Sequence, residues 1–122
     1  MRDENFLFDF ERLTVYQKGV AFSNAIFKAT SEYKPQVQSS LGDHLRRSAL
    51  SICNNIAEGS GKSGRAKVQF YGYALDSARE CIPMITISLM QNQLQQEQCK
   101  ALRSACIEIT SMLFSLIQSA KN

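Results

Sequence analysis

The sequence predicts an all-α protein, an antiparallel up-down four-helix bundle, and three observations support that fold class. Apolar residues recur three and four positions apart, which is the period of an α-helix and not of a strand. Only two prolines, Pro35 and Pro83, occur in 122 residues. The connections between the helical segments are short, which favours antiparallel neighbours. Residues 1–122 are expected to form a single four-helix bundle domain.

Four helices follow from the apolar spacing, in chain order. Helix 1 spans about residues 9–33, helix 2 about 36–58, helix 3 about 65–90 and helix 4 about 93–120. Gly59 stands where a helix favours a left-handed C-terminal cap. The expected core stripes of helices 2, 3 and 4 are, in that order, Leu41, Leu45, Ala49, Ile52 and Ile56; Phe70, Ala74, Ser77, Cys81, Ile85 and Ser88; and Leu102, Cys106, Ile109, Leu113, Leu116 and Ala120.

Helix 1 carries two apolar stripes, although a bundle helix needs only one. One stripe holds Leu13, Val20 and Phe27 among polar residues. The opposite stripe is the more continuous, and we expect it to join subunits together with Leu50 of helix 2. Scattered surface hydrophobes are the alternative explanation. The expected oligomer interface is therefore Val15, Phe22, Ile26, Ala29, Tyr33 and Leu50.

The composition argues against metal, cofactor and catalytic sites. Four cysteines form no CxxC pair, and His44 is the only histidine, so no zinc-ligand cluster is expected. Buried reduced thiols are the simpler interpretation. The carboxylates, cysteines and histidine form no catalytic pattern, and we expect a protein that is not an enzyme and needs no cofactor.

Neither export nor membrane insertion is expected. The first twelve residues, MRDENFLFDFER, mix acids and bases without a long apolar core, unlike a signal or transit peptide. No stretch approaches the roughly 20 apolar residues that a membrane-spanning helix needs. A cytoplasmic location without a membrane partner is the expectation.

The segment GSGKSG, residues 59–64, resembles a phosphate-binding loop only superficially. The Walker pattern needs a glycine where Ile56 stands, and it needs a strand before the loop, whereas a helix precedes this one. A flexible turn between helices 2 and 3 explains the glycines directly.

Basic residues around this turn form the candidate nucleic-acid site. Residues 44–67 hold five bases against one acid, Glu58. A solvated face with an Arg47–Glu58 network is the alternative, and Arg46 could instead serve the subunit interface. Asn55 flanks the core stripe and is expected to satisfy a buried or interhelical hydrogen bond. The candidate nucleic-acid-binding residues are Arg46, Arg47, Lys62, Arg65 and Lys67.

The stretch LRRSALSICNNIAEGSGK, residues 45–62, resembles the signature of the 23S rRNA intervening-sequence protein family. FERLTVYQKGVAF and FYGYALDSARE resemble two further segments of that family, so the resemblance extends over most of the chain. Within the signature, Asn55, Glu58, Gly59 and Gly61 match the family pattern and form a structural motif. Pro83 departs from the pattern and should bend helix 3.

The resemblance implies an antiparallel four-helix bundle, a homopentamer, and a distant relation to the accessory protein of diversity-generating retroelements, which contacts nucleic acid. It implies no enzymatic site. Two hypotheses follow for this chain: weak binding of RNA or DNA through the basic residues, or an oligomeric scaffold that binds a protein partner without nucleic acid. The modest net charge of +3 argues against very strong nonspecific binding.

Overall fold

The computed structural model describes residues 8–122 and consists of four long helices. They are α1, Thr14–Thr30; α2, Asp43–Ser60; α3, Gly64–Met90; and α4, Gln96–Lys121. A short 3₁₀ turn, Asp9–Arg12, precedes α1. One helical turn, Pro35–Val37, and a π-helical segment, Gln38–Gly42, lead directly into α2. The described residues contain no strand.

The four helices pack in cyclic order. Each contacts the next along the chain, α4 closes against α1, and the contacts that α3 makes with α2 and α4 are the most extensive. This arrangement confirms the predicted all-α four-helix bundle. The seam between α1 and α2 therefore lies on the opposite side of the bundle from the seam between α3 and α4.

The core is built largely from the stripes that the sequence indicates. Four predicted members on α3 and α4 are only half-buried, namely Phe70, Ser77, Leu116 and Ala120, and neighbouring residues outside the predicted stripes are buried, namely Tyr71, Ala78, Met84 and Ile117. Leu45, Ala49, Ile52 and Ile56 of α2 are fully buried, while Leu41 is half-buried at the edge. Large side chains from the other helices complete the interior, and all four cysteines are buried free thiols, as predicted. Burial raises the pKa of the Cys53 thiol, so the neutral form is favoured.

The helix ends differ from the predicted ones for local reasons. Leu13 adopts an extended conformation that separates the 3₁₀ turn from α1. Asn92 has a φ of 60° and ends α3, with the Gln93 amide donating to the Ser88 carbonyl at 2.9 Å. Gln95 then caps α4, since its backbone amide donates to Gln98 Oε1 at 2.8 Å. The export expectation rests partly on residues 1–7, which lie outside the described residues.

The prediction that Gly59 forms a left-handed cap is wrong. Gly59 lies inside α2, Gly61 caps the helix with a φ of −85°, and the described glycine with positive φ is Gly64, at 58°. Gly59 serves close packing instead, because a Cβ there would lie 2.7 Å from Cδ1 of Tyr71 on α3. Gly59 is therefore required by the close approach of α2 and α3 and not by the turn between them.

We expect Gly59→Ala to destabilise the fold by about 1–3 kcal/mol, because the methyl group displaces the Tyr71 ring. Gly72→Ala is the matched control, since no atom lies within 4 Å of its Cβ position. In a helix interior that change should stabilise by roughly 0.5–1 kcal/mol. Urea denaturation measures both. Equal and small effects of the two substitutions would contradict the packing role of Gly59.

Candidate functional site

The assignment of the two stripes of α1 is wrong in the sequence-based prediction. The stripe expected at the subunit interface lies in the core of the subunit: Val15, Phe22, Ile26, Ala29 and Tyr33 are all buried there. Small residues decide which face turns inward. Gly19 leaves room for Cys53 Sγ, 3.3 Å from where its Cβ would be, and Ser23 Oγ donates to the Ala49 carbonyl at 3.0 Å.

The other stripe of α1 remains at the surface. Val20 is 44% exposed and Phe27 is 43% exposed, and Leu50 of α2 is 44% exposed. Ser23 lies between Val20 and Phe27 on α1, and its Oγ donates to the carbonyl of Ala49, the residue before Leu50 on α2. The three apolar side chains therefore border the seam between α1 and α2. We call Val20, Phe27 and Leu50 the α1–α2 apolar face. Leu50 is the one predicted interface residue that stays on the surface.

Aromatic side chains lie near the N-terminal end of α1. Tyr16 contacts Phe10 edge-on, with ring centroids 5.0 Å apart, and Phe10 stacks with Phe8 at 5.7 Å. Phe8 is exposed. The 3₁₀ turn that carries Phe10 packs against both α1 and α2, so these rings lie beside the same two helices as the apolar face.

Arg46 is held by internal contacts. Its Nη1 donates to Thr30 Oγ1 at 2.7 Å and to Gln38 Oε1 at 3.2 Å, and its Nη2 lies 3.9 Å from Asp43 Oδ1. These bonds tie the end of α1 to the start of α2. Arg46 is thus a structural residue, and we do not retain it among the candidate nucleic-acid contacts.

Arg47 does not form the predicted network with Glu58. Its Nη2 pairs with Asp43 Oδ2 at 3.1 Å, while Glu58 pairs with Lys62 at 3.6 Å. Arg47 and Glu58 are separated by about 16 Å along α2, at 1.5 Å per residue, which explains why the prediction is wrong. Arg47 is 77% exposed but lies near the opposite end of α2 from the turn.

Three of the predicted cations remain together at the turn between α2 and α3, and we call Lys62, Arg65 and Lys67 the turn cluster. Lys62 Nζ lies 5.9 Å from the Phe70 ring centroid, and Lys67 Nζ lies 5.7 Å from the Tyr71 ring centroid. Arg65 is exposed and makes no ion pair within residues 8–122. The five predicted residues therefore divide into a turn cluster and two distant arginines.

Asn55 belongs to a polar seam between α2 and α3. Its Nδ2 donates to the Ser51 carbonyl at 2.9 Å and to Ser51 Oγ at 3.0 Å, so Asn55 bonds within its own helix and is linked to α3 only through Ser51. Ser77 Oγ donates to Ser51 Oγ at 2.8 Å, and Ser48 Oγ donates to Glu80 Oε1 at 3.0 Å. The partners on α3 could not be paired from sequence, because pairing depends on how the two helices are aligned.

No group of three or more potential metal-ligating side chains occurs in the described part of the chain. His44 is exposed at the start of α2. Within residues 8–122, no helix combines the length and the apolar character that crossing a bilayer requires.

The chain matches the family model of the 23S rRNA-intervening sequence protein over residues 11–115. It is also similar in fold to the crystal structure of a protein of unknown function from the S23 ribosomal protein family of Bacteroides thetaiotaomicron. That comparison has a TM-score of 0.75 and 23% sequence identity, and it covers 85% of this chain and 95% of the other. Among curated proteins, none matches this chain. Because the family model covers most of the chain, this protein belongs to the 23S rRNA-intervening sequence protein family.

Proposed function

We propose that this protein is a non-enzymatic four-helix bundle that associates with copies of itself through the α1–α2 apolar face. The exposure of Val20, Phe27 and Leu50 along one seam carries the proposal. Burying the exposed part of each side chain would contribute about 1 kcal/mol. Large apolar side chains exposed along one face are typical of sites where proteins associate.

The pentamer and the relation to the retroelement accessory protein stay predictions of the family resemblance. A symmetric contact of one face with itself gives a dimer, whereas a ring of five needs two different surfaces on each subunit. The α1–α2 apolar face supplies one of them. Light scattering on the purified chain tests self-association, and we expect a mass several times the 13.7 kDa of one chain.

A second candidate function is weak binding of RNA or DNA through the turn cluster. Its support is the exposed guanidinium of Arg65 beside two further cations, with Glu58 as the acid that pairs with one of them. Arg65 and Lys67 lie in the first turn of α3, where the positive end of the helix dipole also favours phosphate. Repetition of the cluster around an oligomer would let several weak sites engage one long strand.

Replacing Lys62, Arg65 and Lys67 together by alanine should weaken nucleic-acid binding and reduce its salt dependence. Each phosphate contact contributes about 0.7–0.9 to the slope of log K against log salt, so losing three contacts should reduce the slope by roughly 2–3. Titration of a structured RNA and a DNA duplex across a salt series measures this. A variant with Lys28, Lys34 and Lys100 replaced by alanine has the same net charge and serves as the control.

Failure of the wild-type protein to bind either the structured RNA or the DNA duplex at low salt would contradict nucleic-acid binding. Unchanged affinity and slope in the turn-cluster variant, or an equal loss in the control, would also contradict it. The protein would then be better described as an oligomeric scaffold for a protein partner.

A further inference from the structure

A groove runs along the outside of the bundle between α3 and α4. Two cavities follow one another in it. The first, of about 390 Å³, lies between Thr86 and Leu89 of α3 and residues 96–103 of α4. The second, of about 270 Å³, lies between residues 79–83 of α3 and residues 106–110 of α4. Together they extend over roughly 14 residues of α4, about 21 Å at 1.5 Å per residue.

Unpaired cations line this groove. Arg79 borders the second cavity, and Lys100 and Arg103 border the first. Arg103 Nη1 donates to Thr86 Oγ1 at 3.4 Å, a contact with a neutral partner. None of the three cations forms an ion pair with an acid of residues 8–122.

Exposed apolar side chains line the groove and extend it past the second cavity. Ile107 is 58% exposed and Phe114 is 57% exposed, and Ile82 is half-buried on the facing helix. Arg103, Ile107 and Phe114 are four and seven residues apart, so they lie on one side of α4. The surface thus combines an apolar floor with positive charge on both walls.

Pro83 adds a backbone acceptor at the same place. Proline has no amide hydrogen, so the Arg79 carbonyl lacks the α-helical donor that it would otherwise have four residues later. Arg79 and Pro83 both border the second cavity. A carbonyl without this donor can accept a hydrogen bond from a side chain entering the groove.

We propose that the α3–α4 groove binds an acidic amphipathic α-helix of a partner protein. Charge complementarity identifies the occupant, because three cations without acidic partners flank an apolar floor, and a helix with apolar residues on one face and carboxylates beside them matches both features. A helix of about 14 residues would fill the two cavities in series. The groove lies opposite the α1–α2 apolar face, so the peptide and that face do not use the same residues.

Fluorescence anisotropy with a labelled synthetic peptide tests this proposal on the full-length chain. The peptide is an amphipathic helix of about 15 residues, with leucines on one face and glutamates flanking them, and the control peptide has lysines in place of the glutamates. We expect saturable binding of the acidic peptide only. Arg79→Glu with Arg103→Glu should weaken it at least about tenfold, because repulsion replaces attraction.

Lys28→Glu with Lys34→Glu is the matched control, since it changes the net charge equally at exposed positions that line neither cavity of the groove. The proposal is overturned if the acidic peptide does not bind, if both peptides bind alike, or if the two double variants lose affinity equally. It is also overturned if Ile107→Glu leaves peptide binding unchanged. A further contradicting outcome is that Arg79→Glu with Arg103→Glu changes the oligomeric mass while the wild type binds no peptide. That last result would assign the groove to contacts between subunits.

Discussion

Ile52→Asp is expected to unfold the subunit. Ile52 is fully buried at the centre of α2, where the residues of the core cluster surround it with apolar side chains. An aspartate there must either bury a charge without a partner or be protonated at a large cost. The loss of packing adds to this, and a total above about 4 kcal/mol is a large part of the roughly 5–15 kcal/mol that stabilises a typical domain.

Far-UV circular dichroism with thermal melting measures this effect. Asn54→Asp is the control, because Asn54 is exposed two residues further along the same helix. We expect the control to melt close to the wild type and Ile52→Asp to show no cooperative transition. Leu113→Asp should behave like Ile52→Asp, since Leu113 is fully buried on α4. A cooperative, native-like melt of either core variant would contradict the assignment of the core.

Val20→Glu combined with Phe27→Glu is expected to dissociate the assembly without unfolding the subunit. Both side chains are more than two-fifths exposed in the single subunit, so glutamates there remain in water when the chain is alone. In an assembled interface each carboxylate would be buried without a partner, at a cost of about 3 kcal/mol or more. The substitutions therefore act on association and spare helicity.

Sedimentation velocity and circular dichroism together read out this result. Ala21→Glu with Ser111→Glu adds the same charge at exposed positions along the seam between α1 and α4 and is the control. Phe22→Glu is an instructive contrast: as part of an interface it would dissociate the assembly, but its burial in the core means that it should unfold the chain. An unchanged sedimentation coefficient in the Val20/Phe27 variant would exclude this face as the subunit contact.

The fold could be predicted from sequence because each of α2, α3 and α4 has one dominant apolar stripe. A single stripe leaves no choice about which side faces the core, and Leu45, Ile52 and Ile56 lie where their spacing indicates. α1 has two apolar stripes, and apolar content alone assigned the buried stripe to the subunit interface. Gly19 and Ser23 identify the buried face, since they allow α2 to approach, but this contact requires knowledge of which helix is the neighbour.

The candidate site was predictable only in part, for a related reason. Five cations close in sequence indicate a local charge, yet Arg47 and Lys62 lie about 22 Å apart along the helix that separates them, at 1.5 Å per residue. Arg46 points toward Thr30 and Gln38, partners that α1 and the π-helical segment bring near it. Ion pairing and stacking also depend on rotamers, so the contacts of Lys62 with Glu58 and Phe70 were not readable from spacing.

The mass of the wild-type chain in solution tests the central claim most directly. Light scattering coupled to size-exclusion chromatography should be recorded at micromolar concentration, in low salt and in about 1 M salt, where charge interactions are screened within roughly 3 Å. Association through Val20, Phe27 and Leu50 predicts a mass several times 13.7 kDa that persists at high salt. A monodisperse species of 13.7 kDa in both buffers would contradict self-association, and an assembly that dissociates at high salt would contradict the apolar interface.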